Sequence, residues 1–114
     1  MSFNKHQDSI LVTGATGFIG FHLVQKLVNL GQKVLAVDNN LRGGFKSCEI
    51  FFRKNHVKFF NIDLCNQNEI NSLNEELKST SLIYHLAAFN GTNNFYKTPY
   101  KVLRNLTLPL LNLI

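Results

Sequence analysis

A short apolar run, Ile10-Leu11-Val12, leads into Gly14-Ala-Thr-Gly17-Phe-Ile-Gly20 and then into a helically patterned segment. Glycines at that spacing, between strand-like and helix-like sequence, predict a strand, a tight turn and a helix N-terminus. Each glycine has its own task. The first lets the chain turn sharply off the strand. The second removes a Cβ where backbone must approach a ligand, and the third lets helix and strand pack closely. The free amides and positive end of such a helix suit an anion, above all a dinucleotide pyrophosphate. The spacing is G-x-x-G-x-x-G and departs from the literal G-x-G-x-x-G pattern.

Strand-like and helix-like segments alternate along the rest of the chain. Residues 1–8 read as a frayed lead-in. Ile10–Thr13 is the first strand. Ile19, Leu23, Leu27 and Leu30 recur at helical spacing, and Gly31 stops that helix. Val34–Val37 is a second strand, followed by a loop of turn formers from Asp38 to Gly44. A weaker helical patch covers Ser47–Lys54, and Val57–Phe60 is a third strand. Ile70, Leu73 and Leu77 mark a helix over Asn66–Leu77, with Asn66 as N-cap and Glu69 as its capping-box partner. Leu82–Leu86 is a fourth strand, Asn90–Asn94 a polar loop, and a last helix runs from about Pro99 to the end. The order βαβαβαβα predicts an α/β fold, a Rossmann-like doubly wound parallel sheet. Right-handed crossovers make the strand order 3-2-1-4.

The 114 residues are expected to form a single dinucleotide-binding domain, 1–114. Ile114 falls inside an apolar helical pattern, so that domain is expected to be truncated, incomplete at its C-terminal end. Strand four is then an unpaired edge, and the isolated chain is expected to be poorly soluble or to pair with another chain. No apolar stretch approaches the ~20 residues of a membrane helix, and the polar N-terminus lacks a signal-peptide core. The cytoplasm, and no membrane partner, is the expectation. Cys48 and Cys65 have neither metal-type spacing nor a histidine cluster nearby, and read as reduced thiols with no metal site. The net charge of +5 is spread over scattered lysines and arginines. Without a dense basic stripe it predicts no nucleic-acid partner, and it suits a protein that holds a diphosphate.

Asp38 stands at the end of the second strand, about 20 residues past the glycine turn, where a carboxylate accepts hydrogen bonds from the adenosine ribose hydroxyls. It would repel a 2′-phosphate, which favours NAD over NADP. Arg42, close by, works the other way.

Four motifs in order resemble the extended short-chain dehydrogenases, the NAD-dependent epimerase/dehydratase group acting on nucleotide sugars. They are Val12-Thr-Gly-Ala-Thr-Gly-Phe-Ile-Gly20, Asp38-Asn39-Asn40-Leu41-Arg42-Gly43, Asp63-Leu64 and His85-Leu86-Ala87-Ala88, all within residues 10–90. The resemblance implies NAD as cofactor. It implies that Gly14, Gly17, Phe18, Ile19 and Gly20 cradle the pyrophosphate and that Asp38 and Asn39 hold the ribose. Asp63 and Leu64 then flank the adenine, and Leu86, Ala87 and Ala88 line the middle of the cofactor. Read without the resemblance, Leu86-Ala-Ala88 is a strand end of small residues, His85 a packed core histidine, and Asp63 a turn or cap residue. The loop Phe89–Tyr96 is expected near the nicotinamide or the sugar.

Enzymes of this group act through a Tyr-x-x-x-Lys pair. Here the residues four beyond Tyr84, Tyr96 and Tyr100 are Ala88, Tyr100 and Arg104, so no catalytic residue carries over. The last helix is apolar around nearly its whole circumference, from Val102 to Ile114, and carries Pro109. The resemblance implies that it packs on the sheet and joins a homo-oligomer interface. It also implies an asparagine on this helix, taken as Asn105. The expected function is the N-terminal NAD-binding part of a nucleotide-sugar enzyme, UDP-glucose 4-epimerase-like or sugar 4,6-dehydratase-like. The nucleotide sugar is then the substrate of the intact enzyme. The alternatives are a non-catalytic dinucleotide-binding module and a decayed gene fragment without activity.

Overall fold

The computed structural model describes residues 8–40, 44–87 and 111–113. The elements are β1 (Ser9–Thr13), α1 (Phe18–Asn29), β2 (Val34–Asp38), α2 (Phe45–Lys54), β3 (Lys58–Asn61), α3 (Gln67–Asn71), α4 (Asn74–Lys78) and β4 (Thr80–His85). The four strands pair in parallel in the order β3-β2-β1-β4. This is the doubly wound α/β architecture that the alternation predicts. The polar loop 90–94 and nearly all of the last helix, Pro109 included, lie outside the described residues; residues 111–113 are helical.

The two central strands are apolar on both faces because both faces are covered. On one face Ile10 and Val12 of β1, with Val34 and Ala36 of β2, pack against Val24 and Leu27 of α1 and Cys48 and Phe52 of α2. On the other, Leu11, Leu35 and Val37 pack with Ile62, Leu64, Ile70 and Leu73. The outer strands β3 and β4 are less buried, with Leu82 and Tyr84 of β4 exposed. Phe45, Phe52 and Phe59 stack between α2 and β3, with Phe45 and Phe59 ring centroids 4.6 Å apart. These aromatic contacts hold α2 on the sheet, and it begins at Phe45, two residues before the expected start.

Three sequence expectations are corrected. The buried stripe of α1 is Gly20, Val24 and Leu27, whereas Ile19 and Leu30, expected on the core face, are 69% and 62% exposed. The reason is the close seat of Gly20 on the turn: a Cβ there would stand 2.0 Å from the Gly14 carbonyl oxygen. That contact sets the rotation of the helix, and the face follows it.

The helix expected over Asn66–Leu77 is two short helices, α3 and α4. The break comes at Ser72 and Leu73, whose amides bond three residues back to Glu69 and Ile70. Ile70 and Leu73 still share one core cluster, joined by Leu77 at its edge. Asn66 caps α3 as expected, its side chain accepting from the Asn68 and Glu69 amides. Glu69 does not close a capping box. The Asn66 amide is already bonded to the Asp63 carbonyl, so the Glu69 carboxylate reaches further back and accepts from the Asp63 amide at 3.1 Å. Asn66→Ala is expected to cost about 1 kcal/mol, read as a lower urea midpoint at unchanged m-value.

Candidate functional site

In a parallel sheet all strands end on the same side, and ligands bind in the crevice beyond those ends. Every described residue singled out from the sequence stands there. Gly14, Gly17, Phe18, Ile19 and Gly20 follow β1. Asp38 ends β2 and Asn39 follows it. Asp63 and Leu64 come just after β3, and Leu86 and Ala87 follow β4. Ala88, Arg42 and the loop 89–96 lie outside the described residues.

The turn after β1 is built from backbone. Gly14 has a positive φ of 68°, a conformation that costs glycine little and other residues more. The Gly17 amide bonds the Gly14 carbonyl at 3.1 Å, closing the turn. α1 then opens at Gly17 with no side-chain cap and no acidic residue in its first turn. α3 differs, since the Asn66 oxygen occupies its first amides. The N-terminus of α1 therefore presents uncapped amides and the positive end of a twelve-residue helix dipole. Phe18, 83% exposed, and Ile19 stand in solvent beside it. The missing Cβ at Gly17 leaves the backbone bare, which fits the close approach of a diphosphate, while that at Gly20 lets α1 seat on the turn.

Asp38 closes the other side of the turn. Its Oδ2 accepts from the Thr16 amide at 3.0 Å, and its Oδ1 accepts from the Asn40 amide at 2.8 Å. The carboxylate thus ties the glycine turn to the end of β2, a clasp that the sequence reading missed because Thr16 and Asp38 are 22 residues apart. Each oxygen still has a lone pair for a hydroxyl donor. Asn40, with a positive φ of 58°, accepts from the Phe45 amide at the start of α2. Gly44, just before α2, packs so closely on Thr16 that a Cβ would sit 2.2 Å from the Thr16 carbonyl oxygen. Below the clasp lies Cys48, whose thiol pKa is pushed up by burial and further by the Asp38 charge. It stays a protonated, unreactive thiol.

Asp63 and Leu64 play unequal parts. Asp63 is half-buried and its Oδ1 accepts from the Cys65 amide, forming a turn. The Leu64 side chain belongs to the second core cluster. Its carbonyl accepts from Asn112 Nδ2 at 2.7 Å, which fixes the loop after β3 to the helical residues 111–113. Asn105, the asparagine taken from the sequence, lies outside the described residues, and Asn112 is the one seen to bond the sheet side. The β4 end crosses Gly14: a Cβ there would meet Ala87 N and Leu86 C at 2.9 Å. Four segments, distant in sequence, thus surround the N-terminus of α1 and the end of β2.

The model of the NAD dependent epimerase/dehydratase family matches residues 10–114. The chain is 33% identical over 110 residues to UDP-glucuronic acid decarboxylase 1 of Danio rerio, covering 96% of this chain and 24% of that protein. It is 34% identical over 115 residues to UDP-glucose 4-epimerase of Caenorhabditis elegans, covering 92% of this chain and 33% of that protein. The solved UDP-glucose 4-epimerase of Thermus thermophilus, a complex with NAD, matches with a TM-score of 0.75 at 29% identity, over 92% of this chain and 32% of that one. The chain therefore spans about a quarter to a third of the length of these relatives.

Proposed function

The chain belongs to the NAD dependent epimerase/dehydratase family, and we propose that it forms the N-terminal, NAD-binding part of a nucleotide-sugar epimerase or dehydratase. In this reading the amides at Phe18, Ile19 and Gly20 take the pyrophosphate, with Gly14 and Gly17 forming the turn beneath it. Asp38 and Asn39 hold the adenosine ribose, Asp63 and Leu64 flank the adenine, and Leu86, Ala87 and Ala88 line the middle of the cofactor. When bound, NAD supplies a hydride acceptor for a carbon of the nucleotide sugar. The residues of this chain bind and orient it. The 114 residues contain no Tyr-x-x-x-Lys pair, so no proton-transfer group is assigned to them.

The observation that carries this reading is the uncapped N-terminus of α1, lying on glycine backbone and clasped by Asp38. The decarboxylase and the 4-epimerase are almost equally similar to the chain. That supports giving cofactor binding to this segment and the choice of reaction to other parts of such enzymes. Residues 1–114 are taken as one domain, with association through the last helix and the cytoplasm as compartment. No helix among the described residues is long and apolar enough to cross a membrane.

Calorimetric titration tests the reading. NAD should bind, and NADP should bind about ten-fold more weakly or worse, a difference of about 1.4 kcal/mol, because Asp38 repels the 2′-phosphate. Heats no larger than dilution for NAD would overturn it.

A further inference from the structure

Thr13 and His85 are direct cross-strand partners at the ends of β1 and β4. The Thr13 hydroxyl is fully buried and meets two groups, His85 Nδ1 at 2.7 Å and the Ala87 amide at 3.1 Å. An amide only donates, so the Thr13 oxygen accepts from Ala87. The hydroxyl has a single proton of its own, and His85 Nδ1 is its one acceptor among the described residues. A hydroxyl proton directed at Nδ1 requires a neutral ring, with its own proton on Nε2. The Leu86 amide also bonds the Thr13 carbonyl, at 3.3 Å. The result is a backbone-on-backbone seam, with Leu86 and Ala87 lying across Gly14 where the strand order reverses.

Resting on the cofactor reading above, we propose that His85 is a positioning residue. Its neutral Nε2-protonated ring takes the Thr13 proton, orients the Thr13 oxygen toward the Ala87 amide, and so holds the Leu86–Ala87 backbone at the middle of the cofactor crevice. The surroundings agree. Burial alone lowers the His85 pKa from its usual 6.5, and no charged group among the described residues contributes. β1 and the glycine turn bring no ionisable side chain to it, and Tyr84, its neighbour on β4, alternates to the other face. A protonated ring would turn Nδ1 into a donor, and the Thr13 oxygen would then accept from both Nδ1 and the Ala87 amide. The Thr13 proton would then lose its acceptor.

The sign of the pH effect follows. The folded His85 pKa lies below the unfolded one, so the unfolded chain takes up the proton first. The His85 contribution to stability is complete above about pH 6.5. It is lost as pH falls below that value and through the lower folded pKa.

The test has two arms on the full chain. Long-range ¹H–¹⁵N correlation of ¹⁵N-histidine-labelled protein at pH 7.5 should show His85 with Nε2 protonated and Nδ1 bare. A proton on Nδ1 would overturn the proposal. In the second arm, His85→Phe and Thr13→Val should weaken NAD about five-fold, the equivalent of one net hydrogen bond, and leave AMP affinity unchanged. Thr13→Ser, which keeps the hydroxyl, should bind NAD as the parent does. Equal losses for NAD and AMP would reduce His85 to general packing and refute the positioning role. A parent protein that binds neither nucleotide would instead remove the cofactor reading, while the tautomer measurement still decides whether the His85 ring is held as proposed.

Discussion

Gly20→Ala is expected to destabilise the chain by about 3 kcal/mol or more, at or beyond the upper end for overpacking, and to abolish NAD binding. The sign is the informative part. In an ordinary helix this exchange stabilises by about 1 kcal/mol, because alanine is the better helix former. Here the new Cβ would stand 2.0 Å from the Gly14 oxygen, 2.8 Å from the Gly14 carbon and 3.1 Å from Ala15 Cα. All three are backbone atoms, so no side-chain rotation relieves them. Either α1 lifts off the turn, uncovering Val24 and Leu27, or the turn itself opens. Both outcomes displace the amides at the helix start. Gly17→Ala is the internal control. Its Cβ would meet the same oxygen at 3.3 Å, a contact that a shift of a few tenths of an ångström absorbs. Urea unfolding of the two variants beside the parent checks the contrast. A Gly20→Ala protein as stable as the parent would mean that α1 does not sit on Gly14.

Asp38→Ala should lower NAD affinity ten-fold or more, about the 1.5–3 kcal/mol of a hydrogen bond to a charged group. It should also cost about 1–3 kcal/mol of stability, because the Thr16 and Asn40 amides lose their acceptor. Two roles are superimposed in one carboxylate, and NADP separates them. If Asp38 also meets the ribose, its removal relieves repulsion of the 2′-phosphate, and the preference for NAD over NADP shrinks toward unity. If it only clasps the turn, both nucleotides weaken together and the ratio stays as in the parent. Asp38→Asn is the intermediate case. Its oxygen can serve one of the two amides, but its NH₂ must face the other, donor against donor.

Much of this fold was legible because its signals are local. The glycine turn follows an apolar run by one residue, and strands covered on both faces read as uninterrupted Ile, Leu and Val. With right-handed crossovers, that alternation leaves little freedom in strand order. The position of Asp38 was legible for the same reason, as the first acid after the second strand.

What the sequence hid depends on atoms brought together from afar. The burial of α1 is decided at Gly20, a residue with no side chain to count in an apolar pattern, so Ile19 and Leu30 appear to belong to a core face they do not join. The split between α3 and α4 leaves the spacing of Ile70, Leu73 and Leu77 intact, and periodicity is blind to it. The Asp38–Thr16 clasp, the Asn112–Leu64 bond and the Thr13–His85 pair span 22, 48 and 72 residues. No spacing rule reaches them. The sequence did hold a hint: Thr13 is a hydroxyl directly after the apolar run Ile10–Val12, and a buried hydroxyl needs a partner.

The central claim is that the first amides of α1 receive a diphosphate. ¹H–¹⁵N correlation spectra of the labelled chain, titrated with NAD, test it at those atoms. The account predicts saturable shifts at Phe18, Ile19 and Gly20, together with Thr16 and Asn40 around Asp38, and none at Asn68 and Glu69, whose amides Asn66 already holds. Saturable binding that leaves residues 16–20 unmoved, or no binding at all, would contradict it.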